Sequence, residues 1–141
     1  MTEIAFHVNT TDKLDYACRL LRKAWGAGSK VVVTGDPEFL RELDAALWTF
    51  SPVDFVPHCY DAPSPVRELS PIVFAESLQS APHVEVLLNV GAEVPAGFER
   101  FERMIELVSS EDGDLRNGRL RWKHYASRGY AMTRYDRSEA R

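Results

Sequence analysis

Apolar and polar positions change period several times along the 141 residues of the chain. Residues 4–8 alternate as a strand does, and Thr10, Thr11 and Asp12 then offer side-chain oxygens that can cap a helix start. Over residues 13–25, Leu14, Ala17, Cys18, Leu21, Ala24 and Trp25 recur at three- and four-residue spacing, which predicts an amphipathic helix closed by Gly26 and Gly28. Val31 to Thr34 is a β-branched run of the kind found in strands buried on both faces. Asp36 and Pro37 then open a second helix over 38–49, burying Phe39, Leu40, Leu43, Ala46 and Leu47, with Trp48 at the border of the same face. Five prolines interrupt residues 50–71, where irregular structure is expected with a short strand at Phe55 and Val56.

Beyond the prolines, residues 72–74 read as an edge strand because prolines flank the stretch. Residues 84–90 read as a central strand, Pro95-Ala96-Gly97 as a turn, 98–104 as a short helix and 105–108 as a strand. Residues 111–128 carry a helical pattern weakened by Asn117 and Gly118, and 130–135 alternate as a last strand. Strands and helices alternate through most of the chain, which predicts a three-layer α/β sandwich around a mostly parallel sheet. The length suits a single domain over residues 1–141.

Composition is that of an ordinary globular chain, 45% hydrophobic and 27% charged, so it excludes a disordered or collagen-like protein. No apolar run approaches the roughly 20 residues of a membrane span, and no charged-then-apolar leader opens the chain, so a cytoplasmic location without membrane contact is expected. Two cysteines, Cys18 and Cys59, are too few for a disulfide framework. The net charge of −4 conceals an asymmetry. Through Glu111 there are nine basic and seventeen acidic residues, and after it eight basic and four acidic. Residues 115–135 hold Arg116, Arg119, Arg121, Lys123, Arg128 and Arg134 with no acid among them. Such a block attracts phosphate, a carboxylate-rich peptide or the acidic body of the same protein.

Familiar catalytic patterns are missing. The stretch from Gly26 to Lys30 lies after a helix and before a strand, the wrong order for a phosphate loop, and lacks its spacing. Gly35 is in the right order, but the acid beside it would repel phosphate. His7, His58, His83 and His124 are scattered without ligand spacing, no serine or cysteine sits in a nucleophile elbow, and the aspartates fall in cap or helix-surface positions. No catalytic residue, cofactor or metal is therefore expected.

What stands out is aromatic. Trp48 ends a helix at the door of the proline-rich segment, and Phe55, Val56 and Pro57 follow. Trp122 and Tyr125 stand among the arginines, and aromatic residues beside arginine often anchor interfaces. A helix there sets Arg119, Trp122 and Lys123 on one face, with Arg116 a turn before Arg119. The basic rim around an aromatic floor suits an acidic peptide with an apolar end residue, and equally suits single-stranded nucleic acid.

Several of these residues carry a resemblance. Leu43-Asp44-x-x-Leu47-Trp48 with Phe55-Val56-Pro57-His58, the run Lys30-Val31-Val32-Val33, and Arg119-x-Arg121-Trp122-Lys123-x-Tyr125 with Gly129-Tyr130 resemble, in that order through nearly the whole chain, the chi subunit family of bacterial DNA polymerase III holoenzyme. The resemblance implies a Rossmann-like subunit without catalysis of its own. It implies that the chain binds a psi subunit, or a substitute partner, that leads to the clamp loader. It also implies binding of the acidic C-terminal tail of single-stranded-DNA-binding protein, and so an indirect link to single-stranded DNA. Carried onto this sequence, the tail site falls on Arg119, Trp122 and Lys123 with Arg116 as a helper, and the partner face on Trp48, Phe55, Val56 and Pro57. The family pattern has tyrosine where Trp122 stands, and a lysine where Leu115 stands. Two rival readings remain: a small nucleotide-using enzyme with phosphate contacts near Asn9-Thr10-Thr11 or Gly35, and a module that binds single-stranded DNA directly.

Overall fold

A computed structural model describes residues 1–50, 56–60, 65–79 and 81–138. Seven strands form one sheet: β1 (Glu3–Thr10), β2 (Val31–Thr34), β3 (Cys59–Tyr60), β4 (Ile72–Phe74), β5 (Val86–Asn89), β6 (Arg103–Ser109) and β7 (Met132–Asp136). Their spatial order is β3-β4-β2-β5-β6-β1-β7, and every pairing is parallel. Parallel neighbours need crossovers, and helices α1 (Lys13–Gly26), α2 (Pro37–Trp48), the single turn α3 (Val66–Leu69) and α4 (Asp112–Ser127) lie between strands along the chain. The expected α/β sandwich is therefore present, with a sheet more uniformly parallel than predicted.

The two faces of the sheet carry separate cores. On one, Ala17, Cys18 and Leu21 of α1 and Leu40, Leu43 and Leu47 of α2 pack on Val31, Val33, Ile72, Phe74 and Leu88. On the other, Tyr125 of α4 joins Ile4, Phe6, Val32, Leu87, Met104 and Val108, with Phe98 and Phe101 beside them. Alternation along each strand divides the residues: Val31 and Val33 face one layer and Val32 the other. Asp12 caps α1 by accepting the Asp15 backbone N–H at 3.0 Å, and Pro37 sits in the first turn of α2 as anticipated.

Three local expectations are corrected. Ile72–Phe74 is an interior strand, buried between β2 and β3, because Pro71 precedes it and offers only its carbonyl, which accepts the Val31 N–H at 2.8 Å. The edge on this side is β3, with β7 at the opposite edge, and β3 is shifted from the expected strand: Val56 is buried outside any strand, and Phe55 lies outside the described residues. Residues 98–104 form only a single 3-10 turn, Phe98–Arg100, before β6 begins at Arg103. Phe98, Phe101 and Met104 all enter the same core, so their spacing of three is satisfied by a turn leading into a strand. The helix expected over 111–128 forms over Asp112–Ser127 with Gly118 inside it; a Cβ there would lie 3.0 Å from both methyls of Val108, so the glycine lets helix and sheet approach closely.

Candidate functional site: a cationic cleft beside the last helix

Helix α4 is anchored at its first turn. Asp114 accepts the Ser109 backbone N–H at 2.7 Å and the Lys13 ammonium at 3.0 Å. Burial works to raise the Asp114 pKa, but the Ser109 donors and Lys13 outweigh it, and the carboxyl lies below its ordinary value. Farther along, Gly118, Arg121 and Tyr125 turn inward at three- and four-residue spacing.

Arg121 leaves the expected surface block altogether. It is 2% exposed, and its Nε donates to Glu106 Oε1 at 2.9 Å while an Nη donates to the Ala92 carbonyl at 2.8 Å. Asn89 donates to the same Glu106 oxygen at 2.9 Å, and the Tyr125 hydroxyl donates to the other. Tyr125 is wholly buried, so it is no surface anchor. Burial raises the Tyr125 pKa and the Glu106 carboxylate raises it further, so the phenol stays protonated as the donor. The network satisfies a carboxylate in the core, which without donors would be costly.

The residues one step around the helix line a cleft of about 460 Å³. Leu115, Gly118, Arg119 and Trp122 supply it from α4; Phe6, Val8 and Asn9 from β1; Val108 from β6; Arg134 from β7. Trp122 is half-buried, its indole edge-on to Phe6 with ring centres 5.1 Å apart. Arg119 is exposed and makes no ion pair among the described residues. Of the expected tail-site residues, Arg119 and Trp122 thus come together in the wall. Arg116 and Lys123 are exposed on α4 but do not line the cleft. Arg134 and Asn9 do line it; the sequence places Arg134 only within the general basic block and Asn9 only in the rival nucleotide reading, neither in the tail site. The alternation of β7 carried a usable signal, since it sets Arg134 on the same side as Met132.

At the far side of the sheet, Trp48 is 48% exposed at the end of α2, and its ring lies 4.2 Å from that of His58. His58 is buried, setting Nδ1 against the Val56 carbonyl at 2.8 Å and Nε2 against the Asp44 carboxylate at 3.0 Å. Pro57 is half-buried, whereas the buried Val56 side chain belongs to the core and offers a partner no surface. At the carboxyl ends of β2 and β5, where open α/β sheets place nucleotide crevices, Gly35 and Gly91 touch; a Cβ on Gly35 would lie 2.8 Å from the Gly91 nitrogen. The Thr10 hydroxyl is spent on the Val108 carbonyl at 3.2 Å. No group of three or more histidine, cysteine or acidic side chains poised for a metal occurs among the described residues. No helix among them is long and apolar enough to cross a membrane.

Fold and cleft together define a Rossmann-like α/β protein that presents an aromatic, cation-rimmed groove between its last helix and its edge strand. Residues 1–133 match the family model described as DNA polymerase III chi subunit, HolC, and the chain belongs to that family. It is 33% identical to the DNA polymerase III subunit chi of Pseudomonas aeruginosa over 142 aligned positions, covering 94% of both chains. It is 28% identical to the corresponding subunit of Haemophilus influenzae, covering 84% of this chain and 83% of that one. The chain is accordingly a replication accessory subunit.

Proposed function

We propose that this chi-family chain acts in the cytoplasm as a non-catalytic connector of the replicase. Its α4 cleft takes the acidic C-terminal tail of single-stranded-DNA-binding protein, and the surface around Trp48 and Pro57 takes psi or a substitute partner leading to the clamp loader. One observation carries the reading: the cleft has an apolar floor of Phe6, Val8, Val108 and Trp122 and a rim holding Arg119 and Arg134 with no acid among its lining residues. A chain end with an apolar last side chain and nearby carboxylates matches both features, because the side chain buries against the rings while the guanidinium groups pair the charges.

The test is fluorescence polarisation with a labelled acidic peptide ending in phenylalanine. Arg119→Ala is expected to weaken binding about tenfold, as for one charge-assisted hydrogen bond. Equal affinity of wild type and variant would remove the cleft from the account. Titrating a single-stranded oligonucleotide in parallel separates a direct DNA-binding module, which needs no acidic peptide. On the opposite face, Trp48→Ala should abolish capture of the clamp-loader side in a pull-down while leaving peptide affinity untouched.

A further inference from the structure

The cleft receives its cations from two different elements, and the second one has no counterpart in the helix. On α4 the lining residues are Leu115, Gly118, Arg119 and Trp122, so Arg119 is the only cation the helix contributes. Arg134 comes from β7, the edge strand of the sheet. In the parallel pairing it stands opposite Phe6 of β1, and paired residues project to the same face, which places it beside the aromatic floor.

Arg134 is also available. Among the described residues its ion pair is with Asp136 at 3.8 Å, with both side chains about half exposed. That separation is too long for a hydrogen bond. The Asp136 oxygens are engaged elsewhere: Oδ1 accepts the Ser138 backbone N–H at 2.9 Å and Oδ2 accepts the Asn9 side-chain amide at 3.1 Å. Asn9 holds a left-handed backbone conformation, φ 61°, and lines the same cleft. The Asn9–Asp136 link ties the end of β1 to β7, and Arg134 stands exposed in the wall of the cleft.

Resting on the peptide reading above, we propose that Arg134 is a specificity-determining residue of the cleft: it engages a side-chain carboxylate upstream of the buried end residue, while Arg119 takes the terminal carboxylate. The division follows from position. Arg119 is one helical turn from Trp122, the indole that receives the last side chain, whereas Arg134 reaches the cleft from the strand side. Two guanidinium groups held on separate rigid elements select two carboxylates at a set spacing, which a single cation cannot do.

The experiment compares wild type, Arg119→Ala, Arg134→Ala and Arg134→Lys against three labelled peptides. These are an acidic peptide ending in a free phenylalanine carboxyl, the same peptide with its terminus amidated, and the same peptide with its acidic side chains changed to asparagine and glutamine. Arg134→Ala is expected to lose about three- to tenfold affinity for the first peptide, lose as much for the amidated one, and lose almost nothing further for the neutralised one. Arg119→Ala should show the reverse dependence. Arg134→Lys, or Leu115→Lys added to Arg134→Ala, should recover part of the loss, because either returns a cation to the lining. Melting temperatures should match wild type, since Arg134 is exposed. Wild-type binding with Arg119→Ala weakened and Arg134→Ala unchanged overturns this inference alone. Loss by Arg134→Ala that vanishes on amidation overturns the assignment of the two carboxylates. Failure of wild type to bind any of the peptides overturns the peptide reading itself.

Discussion

Arg119 and Arg121 stand two residues apart on one helix, within one run of cations, and meet opposite environments. Arg121 points into the sheet and is consumed by Glu106, which is 0% exposed. Arg119 points past the edge of the core into a cleft, with no ion pair among the described residues. A step of two residues rotates a side chain by roughly 200° around a helix, so neighbours in sequence need not share a face. The lesson is that a basic run measures how many cations a segment has, and the helical period decides which of them can meet a ligand. One guanidinium is buried in an ion pair within the fold and its neighbour is left exposed in the wall of a cleft.

The sharpest way to break this comparison is to remove the inner cation. Arg121→Ala strips the buried Glu106, whose pKa burial already holds above the ordinary carboxylate value, of its cation and a charge-assisted donor, and urea denaturation should show a loss of about 3–5 kcal/mol, while the folded fraction still binds acidic peptide. Survival of full stability would mean that the buried pair is not a structural element. A second buried polar group, His7, separates fold from cleft by pH. Burial pushes its pKa down to about 4 from 6.5, with Arg137 and Lys23 adding to the effect, so the folded ring stays neutral where the unfolded one takes up a proton. Stability from this group is complete above pH 6.5 and falls as the pH drops from there toward 4. Denaturation at pH 7 and pH 5 should differ by on the order of 2 kcal/mol, and His7→Asn should flatten the difference.

Next in size is the outer cation. Arg119→Ala should cost about tenfold in peptide affinity and leave stability within about 0.5 kcal/mol of wild type. Gly118→Ala probes the contact between the two regions. Alanine favours a helix by up to about 1 kcal/mol, but Val108 is a buried β-branched residue with both methyls 3.0 Å from the new Cβ and cannot turn away. A net loss of about 1 kcal/mol is expected, with weaker peptide binding because α4 is displaced. The smallest effects belong to Lys123→Ala and Arg116→Ala, which should lower affinity about twofold or less and only at low salt, as befits exposed charges outside the lining. A tenfold loss in either would redraw the cleft.

Much of the architecture was legible along the chain. Val31–Thr34 is a strand over the expected residues because four consecutive apolar or β-branched side chains fit only a site covered on both faces. The faces of α1 and α2 were equally plain, since their apolar residues repeat with the helical period. The edge of the sheet was misread because a two-residue strand such as Cys59–Tyr60 has no pattern of its own and exists by pairing with β4. The short helix expected before β6 failed because one aromatic every three residues serves a turn and a helix alike.

For the site, sequence exposed Arg119 and Trp122 through their spacing, and Trp48 through its place at a helix end. It could not separate Arg121 from the surface cations, since Glu106 is fifteen positions away and only the packing of α4 on β6 brings them together. Nor could it bring Arg134 to the cleft, because that depends on β7 pairing with β1 rather than with any strand nearer in sequence.

The sequence by itself determined the periods: which residues are apolar on one side of a helix, which run fills a central strand, and that cations gather near the carboxyl end. Tertiary structure decided which charges face each other, because periodicity is a local property of the backbone whereas neutralisation and access depend on neighbours supplied by distant segments.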